Sequence, residues 1–213
     1  MKIKTSYLFF ILLNILNWVS CNEPSSSPIL YKIGFSQCGN TDSWRIEMEA
    51  GMQRELSFSP EISMITEDGN GNSQTQIRQI QSLIDKKVDL IIVSPNEADP
   101  LTPIVEKAYN AGIPVILIDR RINSEKYTAF IGADNFLVGQ NAGDYANILL
   151  KGKGNVIEIG SGPNTSPSIG RHTGFVDALK KHPNIHVVET LWGDETNMDT
   201  LTSYLKSDRK SVV

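Results

Sequence analysis

Cysteine is nearly absent from this chain: Cys21 and Cys38 are the two among 213 residues. Cys21 closes an apolar N-terminal run. If it is lipidated or removed with that run, Cys38 has no partner and no disulfide framework exists. A Cys21–Cys38 bridge is the weaker alternative, since it would tie a signal end to a domain loop. Histidine is scarce as well. His172, His182 and His186 lie on or near one helix without a cysteine or carboxylate at metal-ligand spacing, so they read as surface histidines and no metal is expected. Positive runs are missing after the first few residues, and the net charge is −4, which leaves no basic footprint for nucleic acid. Catalytic motifs are missing too. Gly160-Ser161-Gly162 follows a strand, but Thr165 stands where a dinucleotide fingerprint needs its third glycine. Lys151-Gly152-Lys153-Gly154 lacks the spacing and the following Ser/Thr of a phosphate loop, and there is no G-x-S-x-G elbow. No enzymatic activity and no cofactor are therefore expected. No repeat of solenoid length is present either.

What the chain does have begins with an export signal. Lys2 and Lys4 precede the apolar run Tyr7–Val19, which is too short to span a bilayer comfortably, and Ser20-Cys21 follows. Val19-Ser20-Cys21 resembles the end of a bacterial lipoprotein signal, although Trp18 stands where an aliphatic residue is usual. Lipid attachment at Cys21 and simple cleavage both stay open. The signal covers residues 1–21, and a polar linker over 22–28 separates it from the first strand.

Strands and helices then take turns. Apolar runs of strand length occur at Ile29–Ser36, Ile62–Thr66, Leu90–Val93, Val115–Ile118, Thr128–Gly132, Asn155–Ile159 and His186–Thr190. Between them lie helical periodicities at Trp44–Leu56, Ser73–Lys86, Phe136–Leu150 and Ile169–Lys181, with a last helix from about Asn197. The stretch Val88–Arg120 shows the pattern best. Its first strand ends at the turn-forming Ser94-Pro95-Asn96, and Leu101, Ile104, Val105 and Ala108 mark one apolar helix face. Ala111-Gly112-Ile113-Pro114 stops the helix before a second buried strand. This is a β-α-β unit, for which the right-handed crossover predicts a parallel sheet. The fold class is thus α/β. Ligands in such sheets meet the chain beyond the carboxyl ends of the strands, where Asp119 and Arg120 sit.

Two lobes are expected, an N-terminal one over residues 29–134 and a C-terminal one over 135–207. The second has too few strands for a sheet covered on both faces, so it reads as truncated. Residues 208–213, DRKSVV, are what GATCGGAAGAGCGTCGTG encodes. That is the read of a common sequencing adapter, so these residues are expected to be an assembly artefact and the natural chain to continue.

The segments YKIGFSQ, DSWRIEMEAGMQRE, KKVDLIIVSPNEADPLTPIVEKAYNAGIPVILIDR, IGADNFLVGQNAGDY and SIGRHTGF occur in this order. Together they resemble the type I periplasmic sugar-binding proteins, the ribose-receptor-like group that shares its fold with the lac repressor core. The resemblance runs from about Ile29 to Lys206. FSQC with WR, SPNEADPLTP and DRR look most like the periplasmic sensor domains of hybrid two-component regulators of Bacteroidetes. It implies a two-lobed class I fold with a parallel sheet in each lobe and a monosaccharide in the cleft. Aromatic faces would stack on the sugar while planar polar side chains pair with its hydroxyls.

Carried over by motif, the ligand-binding residues are Asp42, Trp44, Arg45, Asp119, Arg120 and Arg171. Arg45 departs from the second aromatic of the ribose receptor, which argues against ribose itself. Asp42 also reads as a helix N-cap, a role compatible with sugar contact. Asp134-Asn135 reads as a cap of the crossover helix, and Trp192 is a looser candidate for the site. The resemblance places the protein in the periplasm, attached to the membrane by a lipid anchor or by a later transmembrane helix. Any kinase would lie in a later part of the chain. In a sensor a dimer is allowed. A substrate-binding lipoprotein of a sugar ABC transporter is the alternative.

Overall fold

The computed structural model describes residues 30–193 and residue 202. The export signal, Cys21, the linker, the helix expected from Asn197 and the terminal DRKSVV lie outside those residues. Five parallel strands form the first sheet: β1 (Tyr31–Gln37), β2 (Ile62–Asp68), β3 (Leu90–Val93), β4 (Val115–Ile118) and β5 (Ala129–Ile131). Their order is β2-β1-β3-β4-β5, so the winding direction reverses between β1 and β3. Three helices belong to this lobe: α1 (Ser43–Leu56), α2 (Ser73–Asp85) and α3 (Ala98–Asn110). The second sheet pairs β6 (Gly154–Ser161) with β7 (Ile185–Gly193), also in parallel, beside α4 (Asn135–Leu149) and α5 (Ser166–Leu179). The α/β class and the parallel sheet in each lobe are thus as expected from the sequence.

The core of the first lobe sits between α2, α3 and the sheet. Ile80, Leu83, Ile91, Leu101, Val105, Val115 and Leu117 have no exposed surface. Leu101, Ile104, Val105 and Ala108 are all buried along α3, as their spacing predicts. Gly34 admits Leu83 against β1, because a Cβ there would stand 2.7 Å from Leu83 Cδ1. The stripe Met48, Met52 and Leu56 of α1 is only half-buried, and this helix has no fully buried residue. Its neighbour is the edge strand β2, which offers less cover than the sheet centre. β2 also runs two residues beyond its predicted end. Glu67 and Asp68, polar enough to read as loop, are held in register opposite Ser36 and Gln37.

Gln76 is a buried polar residue of α2 with a constructive role. Its Nε2 donates to Ser94 O at 2.9 Å and Ser36 O at 3.3 Å, while its Oε1 accepts from Asn96 N at 2.8 Å. One side chain therefore clasps the carboxyl ends of β1 and β3 at the point where the sheet reverses.

The second lobe is held by glycines. A Cβ on Gly139 would overlap Arg171 O, one on Gly174 would overlap Phe136 O, and one on Gly143 would stand 2.7 Å from Ala178 Cβ. Gly170 is similarly close to Asn135. Hence α4 and α5 touch backbone to backbone, an approach that only residues without a side chain permit.

Candidate site at the carboxyl ends of the first sheet

In a parallel sheet all carboxyl ends point the same way, so β1, β3 and β4 deliver their following loops to one edge. The loop after β1 leads to Asp42, which caps α1 by accepting from Arg45 N at 2.9 Å. The same carboxylate accepts from the Arg45 side chain. Another terminal nitrogen of Arg45 reaches Asp119 Oδ2 at 3.4 Å, and its Nε donates to Cys38 Sγ at 3.2 Å. Arg45 is thus gripped on three edges, with 15% of its side chain exposed. Burial works against its charge, but Cys38 and Asp42 outweigh burial and raise its pKa. Burial likewise pushes the Asp42 carboxyl up, yet the N–H of Arg45 and its guanidinium hold it below the ordinary aspartate value. Trp44 flanks this cluster with 53% of its surface exposed, its ring centroid 5.7 Å from Arg45 Cζ.

Asp119 and Arg120 arrive from β4. Arg120 donates to Asn96 O at 2.7 Å and lies 3.8 Å from Asp119 Oδ2, so it is anchored to the loop after β3. Asp119 takes a left-handed backbone, φ 64°, while its N–H donates to Ile131 O at 2.8 Å. Four of the sequence-predicted residues, Asp42, Arg45, Asp119 and Arg120, therefore form one charged network with Trp44 at its side. Arg171 does not join it. Arg171 lies on α5 of the second lobe, its Nε donating to Asn135 Oδ1 at 2.8 Å.

A cavity of about 360 Å³ opens between the lobes next to this network. Asp119 belongs to both. Arg121, Phe130, Asp134, Asn135 and Ser166 are among its other wall residues. Asp134 caps α4 through Leu137 N at 3.0 Å, the role read from the sequence. Sequence reasoning assigned no role to Arg121, whose Cζ rests 3.6 Å from the Phe130 ring centroid. Its backbone N–H donates to Ser166 Oγ of the second lobe at 2.7 Å. The second arginine of Asp-Arg-Arg was the available signal, but Phe130 and Ser166 reach it only through the fold.

Two histidines differ from the surface reading. His172 meets Glu158 Oε2 at 2.8 Å and stands edge-on to Trp192, ring centroids 5.4 Å apart. His182 meets Asp144 at 3.0 Å. Both are half-buried, because β6 and α4 bring carboxylates that lie far away in the chain. Among the described residues, no group of three or more His, Cys, Asp or Glu is placed to hold a metal ion. Trp192 lines a second cavity with His172 and Arg171, away from the Asp119 network.

A family model described as a periplasmic binding protein domain matches residues 33–213. The chain belongs to the periplasmic binding protein family. One curated member, the galactofuranose-binding protein YtfQ of Escherichia coli (strain K12), is 31% identical over 183 residues. That match takes in 83% of this chain and 57% of YtfQ, so this periplasmic binding protein spans little more than half of that relative's length. Among solved structures, the fructose binding periplasmic domain of hybrid two component system BT1754 is 39% identical with a TM-score of 0.77. It covers 84% of this chain, and 61% of its own length is matched. A Mycobacterium smegmatis structure in complex with beta-D-fucofuranose is 29% identical with a TM-score of 0.75, covering 84% of this chain and 62% of that one. The likeness to a hybrid-system sensor domain agrees with the resemblance read in FSQC, SPNEADPLTP and DRR.

Proposed function

We propose that this periplasmic binding protein binds a monosaccharide, and that it does so as the sensory domain of a hybrid two-component sensor histidine kinase. The observation that carries the reading is Arg45, fixed between Asp42 and Asp119 beside the exposed indole of Trp44. Such a group offers a flat apolar face to sugar C–H bonds and aligned donors and acceptors to neighbouring hydroxyls. The relatives named for galactofuranose, fucofuranose and fructose support a sugar able to take a five-membered ring. Closure of the lobes around that sugar, favoured because some contacts exist only when closed, is the signal. The protein is a binder without catalysis of its own, exported to the periplasm and attached to the membrane. The alternative role is a lipid-anchored receptor serving a sugar permease, and Val19-Ser20-Cys21 fits either role equally well.

Calorimetry of the completed natural protein, expressed from a gene sequenced past the Ser207 codon, against D-fructose, D-ribose, L-arabinose and D-galactose tests the binding reading. Saturable binding of a sugar with a substantial furanose form is expected, and heat from none of them refutes it. Sequencing the gene past the Ser207 codon separates the roles. A frame that runs into a transmembrane helix and a kinase supports the sensor, and a stop soon after a completed lobe supports the transport receptor.

A further inference from the structure

Two buried side chains beneath Arg45 have no part in the sugar reading. Cys38, the residue after β1, is 3% exposed and unpaired with any described cysteine. Besides accepting from Arg45 Nε at 3.2 Å, its Sγ stands 3.8 Å from Gln37 Oε1 and 3.8 Å from Ser94 Oγ. Gln37 is wholly buried, and its Nε2 has no hydrogen-bond partner among the described residues. This is a polar floor at the carboxyl end of β1, an interior strand, where an apolar one would pack more simply. What it supports is a guanidinium whose two outer nitrogens meet Asp42 and Asp119.

A guanidinium is rigid and planar, so holding Nε from below sets the plane in which the outer N–H groups are presented. Sulfur is a weak acceptor, which orients the group while leaving most of its donor strength for other partners. We propose that Cys38 is a positioning residue of the sugar site: its Sγ, backed by Gln37, fixes the plane of Arg45. The proposal rests on the sugar reading above. It assigns a specificity-setting role to a residue that touches no sugar.

The test is a double-mutant cycle on the full chain, with the tightest sugar of the calorimetric panel as probe and a melting temperature for every variant. Cys38→Val keeps the volume but removes the acceptor, and is expected to weaken binding about tenfold. Cys38→Ser retains an acceptor and should recover most of that loss. On an Arg45→Lys background Cys38→Val should cost nothing further, because lysine has no Nε–H to orient. Alkylation of Cys38 by iodoacetamide, followed by peptide mass mapping, gives a readout without sugar. It should be several-fold faster in Arg45→Lys than in the wild type, since the sulfur loses its cover.

An equal loss from Cys38→Val in both backgrounds overturns the proposal and leaves sugar binding intact. If Arg45→Lys binds too weakly to measure, the alkylation decides, and an unchanged rate overturns the proposal. No binding of any sugar by the wild type overturns the sugar reading and this proposal with it.

Discussion

Asp119 holds a backbone conformation that residues with a side chain seldom adopt, at φ 64°. Arg120 N closes on Ile118 O at 2.6 Å around it, so the chain doubles back as β4 ends. Such a conformation costs about 1–3 kcal/mol and persists where the surroundings impose it. Aspartate and asparagine tolerate it best, which makes Asp119→Asn the cleaner probe. That variant keeps the turn and removes the charge facing Arg45. Sugar binding should fall by more than about 2 kcal/mol, as for the cruder Asp119→Ala and Arg120→Ala, because the network of partly buried charges loses one of its members. Calorimetry showing unchanged affinity would remove Asp119 from the site. Asp42 predicts a pH effect instead. Its folded pKa lies below the ordinary 3.8, so the stability it contributes is complete above that value and is lost as the pH falls through the folded one. Below about pH 4, wild type should lose stability more steeply than Asp42→Asn in acid titrations followed by circular dichroism; parallel curves would show the pair to be too solvated to matter. At this scale much was legible in the sequence. Asp before a helix and an Asp-Arg pair after a strand are local signals. Arg121 was not, because its partners Phe130 and Ser166 are brought by β5 and α5.

Elements were legible where burial follows a regular period and illegible where it does not. The apolar face of α3 repeats at helical spacing and packs as read, and Leu90–Val93 and Val115–Ile118 keep their predicted bounds. Gln76 breaks the rule. A glutamine three residues into a helix reads as solvated, yet the groups it satisfies lie 40, 18 and 20 residues away in the chain. Replacing it by leucine would leave the buried Ser94 O and the partly buried Asn96 N without these partners. Gln76→Leu should therefore destabilise the first lobe by about 2–3 kcal/mol in urea unfolding. A loss near zero would mean that the strand ends find other partners. The same reasoning explains α1, whose stripe of Met48, Met52 and Leu56 has the period of a core helix but only an edge strand to cover it.

Among the described residues, the two lobes meet through hydrogen bonds at few points. Arg121 N meets Ser166 Oγ at 2.7 Å beside the cavity that Asp119 lines, and Asn164 Nδ2 reaches Glu97 Oε1 at 3.4 Å. Contacts this sparse can be made and broken as the lobes move, which suits a cleft that closes on its ligand. Saturation with sugar should lower the radius of gyration measured by X-ray scattering, and Ser166→Ala should weaken that response; identical scattering with and without sugar would show that binding and closure are uncoupled. The alternation of elements announced the α/β class in the sequence, but the cavity did not appear there, since its wall is drawn from β4, β5, α4 and α5 at once.

The seam between α4 and α5 has a consequence in the language of genetics. Any change at the first or second base of a glycine codon that yields another amino acid installs a side chain, and at Gly139, Gly143 and Gly174 that side chain runs into the facing helix. These three positions should be the emptiest columns of a saturation library, intolerant of missense alleles, although not one of them presents a functional group to a ligand.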